Sequence, residues 1–350
     1  MKQAIVLAIA AVIIAGPAGI AAAAECLSST IAFSSTRDDP AVNPPLLATE
    51  IYLIDPDGTN ARRLTDNNAA DFMAKLSPDG KRIVFDSNRA RVAGEPLNTS
   101  DLFLMKADRK DQSLMTRGSS ATWSPDGKYI AFHRSASGLG LPINPDAGAA
   151  TTDSDIFVLR LPDDDEPIEE PINVTNSDGK IDDDPDWSPD GTKIVFTRKP
   201  DTDLPTERPF YYPSQEIYVL NLETGLVEQL THNDFEERGP AWSPDGTRLV
   251  FLCRIGPADA AGVPTFEICT MDADGTNLTR LTFNSVLEGT PTWSPDGQKI
   301  AFHRNVSGPQ SSQLFVMNAN GTDQTQLTFP PGINLLAAWG VVRDKCADDK

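Results

Sequence analysis

One phrase recurs along this chain and constrains its fold more than any bulk property. Residues 122–134 read TWSPDGKYIAFHR, and near copies return as DWSPDGTKIVFTR, AWSPDGTRLVFLCR and TWSPDGQKIAFHR. Aligned on the tryptophan, one slot holds Leu76, Trp123, Trp187, Trp242, Trp293 and Trp339, which takes in all 5 tryptophans of the chain. The slots from Leu76 to Trp293 continue as Ser-Pro-Asp-Gly, whereas the last reads AWGVVRDK. Proline presets φ at the second position of a turn and glycine tolerates positive φ later, so each continuing copy is a hairpin. A spacing of roughly 45–65 residues with only strand signals between turns predicts a propeller rather than a helical solenoid.

Each copy divides into four strand-like pieces. The first leads into the tryptophan, and the second is RIVF, YIAF, KIVF, RLVF or KIAF. The third is IYLI, LFLM, IFVL, IYVL, ICTM or LFVM, and a short fourth ends at Thr65, Thr116, Thr175, Thr231, Thr282 or Thr328. Two pieces lack their neighbours. TIAFSSTR, at 30–37, has no tryptophan strand before it, and the Trp339 strand has no second strand after it. Each orphan supplies what the other lacks. The reading is an all-β, six-bladed β-propeller of four-stranded blades, its ring closed by the C-terminal strand joining the three N-terminal strands. Closure also hides edges that invite aggregation.

The cysteines agree with that closure. Cys26 lies just before the orphan second strand and Cys346 just after the orphan first strand. A Cys26–Cys346 bond would staple the ring, and Cys253 and Cys269, in adjacent strands of one blade, suggest a second bond. Spacing alone does not decide pairing. Disulfides need an oxidising compartment. Residues 1–24, with Lys2, an apolar run and Ala22 and Ala24 at the end, read as a secretory signal peptide. The expected mature chain, 25–350, is a single propeller domain, periplasmic or secreted. Its formal charge of −20 for the whole sequence argues against nucleic acid and against an anionic membrane surface. No membrane insertion is expected after cleavage, and the chain is expected to be a monomer.

WSPDG followed by KIAF-type strands and Asp-x-Asp-Gly turns resembles the TolB-like β-propeller repeat, a WD-type propeller family, over about residues 29–343. The resemblance implies an envelope protein with protein partners. TolB itself serves the Tol-Pal system and carries an α/β domain before its propeller, which this sequence is expected to lack. The same repeat occurs in prolyl oligopeptidases and some polysaccharide lyases, so fold alone does not assign function.

Strand direction sorts the loops. Ser-Pro-Asp-Gly and Asp-x-Asp-Gly turns share one face, and the opposite face carries long, dissimilar loops of the kind that bind. Phe210, Tyr211 and Tyr212 mark one of these as a candidate contact surface. On the same face, five residues before each tryptophan slot, stand Asp71, Gly118, Asp182, Glu237, Glu288 and Asn334, with Asp183, Asp184 and Glu236 adjacent. On innermost strands these carboxylates would ring the channel mouth and hold a hard cation or a basic peptide. Alternatively, each bonds locally within its own blade.

Catalytic signals are few. There is no Gly-x-Ser-x-Gly, and His133, His232 and His303 are the only histidines. Asp-x-Asp-Gly lacks the full ligand set of a calcium loop, so neither a metal nor another cofactor is expected. The expectation is a non-catalytic scaffold that binds a protein or peptide, basic or envelope-associated. The alternative is a carbohydrate-active enzyme, a polysaccharide lyase or hydrolase, with a carboxylate site at the channel mouth.

Overall fold

The computed structural model describes residues 27–38, 49–92, 100–135, 154–162, 168–177, 179–200, 215–233, 236–254, 265–306 and 311–343. These form 24 strands in six four-stranded sheets. Blade 1 comprises β24 (Asn334–Arg343), β1 (Leu27–Ser35), β2 (Glu50–Ile54) and β3 (Arg62–Arg63), in that order. Blade 2 runs β4 (Asp71–Leu76), β5 (Arg82–Ser87), β6 (Asp101–Lys106) and β7 (Ser113–Arg117). Blade 3 runs β8 (Ser119–Trp123), β9 (Tyr129–Arg134), β10 (Asp155–Arg160) and β11 (Ile172–Asn173). Blade 4 runs β12 (Lys180–Trp187), β13 (Lys193–Pro200), β14 (Glu216–Asn221) and β15 (Val227–Gln229). Blade 5 runs β16 (Glu237–Trp242), β17 (Arg248–Cys253), β18 (Glu267–Asp272) and β19 (Thr279–Arg280). Blade 6 runs β20 (Glu288–Trp293), β21 (Lys299–Asn305), β22 (Ser312–Asn318) and β23 (Thr325–Gln326).

The ring closes as the orphan strands require. β24 pairs antiparallel with β1, from Leu27↔Arg343 to Ser35↔Asn334. The tryptophan strands touch one another in the cycle β4, β8, β12, β16, β20, β24 and back to β4, so they are the innermost strands. Cys253 and Cys269 form a disulfide with Cα atoms 5.8 Å apart. Cys26, Cys346 and residues 1–24 lie outside the described residues.

The hydrophobic core is divided among the blade junctions. Phe33, Phe85, Phe132, Phe196, Phe251 and Phe302, one from each second strand, are wholly buried. Each of the apolar clusters draws on two neighbouring blades: Phe132 packs with Val84, and Phe196 with Ala131. Burying such rings supplies about 1.5–3 kcal/mol apiece, so blade adhesion is built on this column. The Ser-Pro-Asp-Gly turns are locked locally. Ser77, Ser124, Ser188 and Ser243 donate to the aspartate two residues on at 2.6–2.7 Å. Such bonds hold Asp245 ionised, with its pKa down to about 2.

The inner strands are not regular. Each has a bulge, and the residue three before the tryptophan slot takes a positive φ: Met73, Ser120, Asp184, Gly239, Thr290 and Leu336, between 42° and 58°. A bulge bends its strand and re-aims the side chains beside it.

Candidate functional site at the channel mouth

The carboxylates five residues before the tryptophan slot are turned into blade junctions rather than out to solvent. Asp71, Asp182, Glu237 and Glu288 are all buried. Arg198 grips Asp182 with Nε at 2.6 Å and Nη2 at 2.7 Å. Arg89 donates to Asp71 at 2.5 Å, and Arg304 Nε donates to Glu288 at 2.7 Å. In blade 1 the carboxylate becomes the amide of Asn334, whose oxygen accepts from Arg37 at 3.0 Å. These guanidiniums lie over the core phenylalanines: Arg198 is 5.1 Å from the Phe196 centroid and Arg304 5.1 Å from that of Phe302. A buried ion pair capped by an aromatic face is a strong joint and a poor contact for an outside ligand.

The repeated threonine is part of the same joint. Thr65, Thr231, Thr282 and Thr328 each accept a backbone N–H near the start of the third strand, at 2.8–2.9 Å. Thr231 then donates to Glu237 at 3.0 Å, and Thr282 donates to Glu288 at 2.5 Å. In blades 4 and 5 the threonine is therefore a relay from sheet backbone to the buried carboxylate of the next inner strand.

Blade 5 departs from the pattern. Cys253 holds the place of Arg198 and Arg304, and Cys269, opposite Phe251, holds the place of Tyr218 and Phe315. A disulfide thus replaces the guanidinium and its second ring. Glu237 accepts from Asn233 at 2.7 Å and from Thr231, and the Glu216 carboxyl is hydrogen-bonded to it. Burial first, then that like charge, raises the Glu237 pKa to about 8. Glu236, also buried, is gripped by Arg238 and lies 3.9 Å from Arg254.

The side chains that line the channel come from the bulge itself. Asp183, Asp184 and Asp186 are half-buried on β12, and Ser120 donates to Asp184 at 3.3 Å while Thr122 donates to Asp186 at 2.9 Å. Burial raises the pKa of Asp184, with Asp183 adding to it, and burial raises that of Asp186 against the pull of Lys75. This wall is acidic. On β24 and β20 the matching positions include Leu335, Leu336 and Thr290 instead.

A second set of ties was not anticipated from sequence. In three blades the residue after the core phenylalanine reaches the bulge N–H of the next blade: Ser120 N–H donates to Asp86 at 3.1 Å, Asp184 N–H to His133 at 3.4 Å and Leu336 N–H to His303 at 3.3 Å. Both ties through histidine leave Nδ1 an acceptor. Burial raises the Asp86 pKa to about 8 and lowers that of His303 to about 4. The only hint in sequence is that a polar residue at this slot should face a polar partner. Phe210, Tyr211 and Tyr212 lie outside the described residues.

The same face carries exposed apolar side chains on blades 5 and 6. Phe283 is 76% exposed and Phe329 67% exposed, with Val286, Leu287 and Val306 also in the open. All follow second or fourth strands, which places them at the end where the inner strands begin.

A model of the TolB beta propeller domain matches residues 209–346. An uncharacterized peptidase of Bacillus subtilis is similar, 31% identical over 118 residues, which is 33% of this chain and 16% of that protein. An uncharacterized protein of Agrobacterium fabrum is 27% identical over 238 residues, 65% of this chain and 68% of its own length. The crystal structure of TolB from Acinetobacter baumannii superposes with a TM-score of 0.64 at 19% identity, over 89% of this chain and 66% of that one. The chain thus spans about one sixth of the peptidase and just under two thirds of that TolB. Repeat, ring closure and family match agree: this chain is a six-bladed β-propeller whose residues 209–346 match the TolB beta propeller domain.

Proposed function

We propose that the chain is an exported scaffold that binds another protein or peptide, without chemistry of its own, on the face where its inner strands begin. The observation that carries this reading is the exposed apolar group Phe283, Val286, Leu287, Val306 and Phe329 on that face. Large apolar side chains left exposed on one face of a propeller otherwise rich in charge are a mark of a protein contact. Beside it, Asp183 and Asp184 make the channel wall acidic, which suits a partner segment that combines an apolar anchor with a basic group. The more deeply buried carboxylates serve the blade joints and are spoken for. Export rests on the signal-like residues 1–24 and on the resemblance to TolB. Among the described residues no helix is long and apolar enough to cross a membrane.

The test uses the mature chain as bait in envelope extract, beside a variant with Leu287, Val306 and Phe329 changed to serine. Any captured protein is identified, purified and titrated against both baits. A partner that binds the native chain and loses affinity for the variant, with the thermal midpoints of the two baits equal, supports the scaffold. Equal binding to both baits, or no partner, overturns it and makes a screen for glycan cleavage the next experiment.

A further inference from the structure

Two junctions of the ring share one side-chain frame, and only one of them is filled. Residues 63–71 read RLTDNNAAD and residues 280–288 read RLTFNSVLE, in step without a gap. Between blades 1 and 2, Arg63 donates from Nε to the Thr65 carbonyl at 2.7 Å and from Nη2 to Glu50 at 2.9 Å. Between blades 5 and 6, Arg280 repeats both bonds, to Thr282 at 2.6 Å and Glu267 at 2.7 Å. The opposite wall matches too. Arg89 donates to Gln112 at 2.5 Å, and Arg304 donates to Gln324 at 2.7 Å.

The occupants differ. At the first junction Arg63 is held by two further carboxylates, Asp66 at 2.9 Å and Asp38 at 3.5 Å. Arg109 also reaches in, donating to the Arg63 carbonyl at 3.3 Å. At the second junction Phe283 stands for Asp66 and Gly321 stands for Arg109. What remains is a cavity of about 470 Å³ whose lining includes Arg280, Arg304, Phe283, Asn284, Gly321 and Gln324. Among the described residues Arg280 pairs only with Glu267 and Arg304 only with Glu288, and neither guanidinium bonds through Nη1 to a protein group.

We propose that this junction is a binding pocket for a small monocarboxylate with an apolar tail. The ligand's carboxylate takes the place at Nη1 that Asp38 holds beside Arg63, and its tail lies along the exposed ring of Phe283, over which the Arg280 guanidinium is already stacked at 4.7 Å. A guanidinium fork matches a carboxylate in geometry as well as charge. The volume is in the range of small-molecule pockets, about 300–1,000 Å³. The two arginines balance Glu267 and Glu288, so the incoming anion meets no local excess of negative charge. The pocket stands whether or not a protein docks on this face.

The test titrates the mature chain with 4-phenylbutyrate and with its neutral amide, by calorimetry and by saturation-transfer NMR. The acid binds with a dissociation constant of about 1 mM or tighter, and the amide binds about tenfold more weakly or worse. Phe283→Asp rebuilds the filled junction at an exposed position and weakens the acid by about tenfold or more, while Phe283→Leu retains it. Unchanged thermal midpoints show that both variants fold. Equal binding of acid and amide, undiminished binding by Phe283→Asp, or no saturable binding of the acid at about 10 mM each overturns the proposal.

Discussion

Glu216 of blade 4 and Glu237 of blade 5 meet carboxyl to carboxyl at the one junction where a disulfide stands in for the arginine clamp. Two buried carboxyls in contact cannot both ionise cheaply, so the pair keeps a proton at neutral pH. Glu237 is raised from 4.5 to about 8, which means the folded chain holds a proton that the unfolded chain releases. Stability from this pair is therefore full below about pH 4.5 and falls as pH rises towards 8, by up to about 1.4 kcal/mol per pH unit. Asp86, also raised to about 8, adds in the same direction. Urea unfolding from pH 5 to 8 should show that decline, and Glu237→Gln should remove about one proton's worth of the slope. Parallel profiles for the two proteins would remove the pair as its cause.

Restoring the clamp should have the same effect by another route. Cys253→Arg with Cys269→Phe rebuilds in blade 5 the arrangement of Arg304, Phe302 and Phe315, whose rings stack at 5.7 Å. The new guanidinium faces Glu237 and favours its ionised form, so the pH slope flattens as in Glu237→Gln. Simple reduction behaves differently. It opens a link between residues 16 apart, costs about 3 kcal/mol and leaves the slope in place. The slope, read with and without reductant, separates the two roles of these cysteines.

Arg198 is the clearest single joint. Its guanidinium grips Asp182 through two bonds, and burial already raises the pKa of that carboxyl despite the ion pair. Arg198→Met keeps an apolar stem over Phe196 but leaves a buried charge alone, at a cost of about 3–5 kcal/mol. Adding Asp182→Asn should return part of that loss, because the unpaired charge, not the missing contact, dominates it. A thermal midpoint for the double variant at or below the single one would refute this.

Blade count, strand order and ring closure were legible because the blades repeat the same local signals with few exceptions: an alternating second strand, a turn with fixed chemistry and, save at Leu76, a tryptophan before it. The places of Asp71, Asp182, Glu237 and Glu288 at the heads of the inner strands were legible too. Their direction was not. It depends on the bulge at Met73, Ser120, Asp184, Gly239, Thr290 and Leu336, six positions that share no residue type. Nor does the arginine partner keep one column, since Arg89 stands four residues after its phenylalanine and Arg304 only two. A pattern that two different positions satisfy equally well in space leaves no column in sequence. The pocket between blades 5 and 6 was hidden for a related reason. Phe283 and Gly321 are unremarkable alone and gain meaning only beside Asp66 and Arg109 at the matching junction.

Gly289 shows how closely these bulges are fitted. It lies opposite His303 in the β20–β21 ladder, and a Cβ added there would fall 2.2 Å from Cε1 and 2.3 Å from Nε2 of the ring. The ring has little room to withdraw, because its Nδ1 accepts from Leu336 N–H at 3.3 Å and meets the Thr290 hydroxyl at 3.0 Å. It will not ionise to find water either, since burial lowers its pKa to about 4. Gly289→Ala should therefore overpack the bulge and cost about 1–3 kcal/mol in urea unfolding. Blade 4 solves the same position with Asp183 opposite Thr197, a short side chain on each strand in place of a glycine and an imidazole ring. His303→Thr in the Gly289→Ala background should accordingly recover part of the loss. If the two substitutions instead add, the ring is not what the alanine strikes.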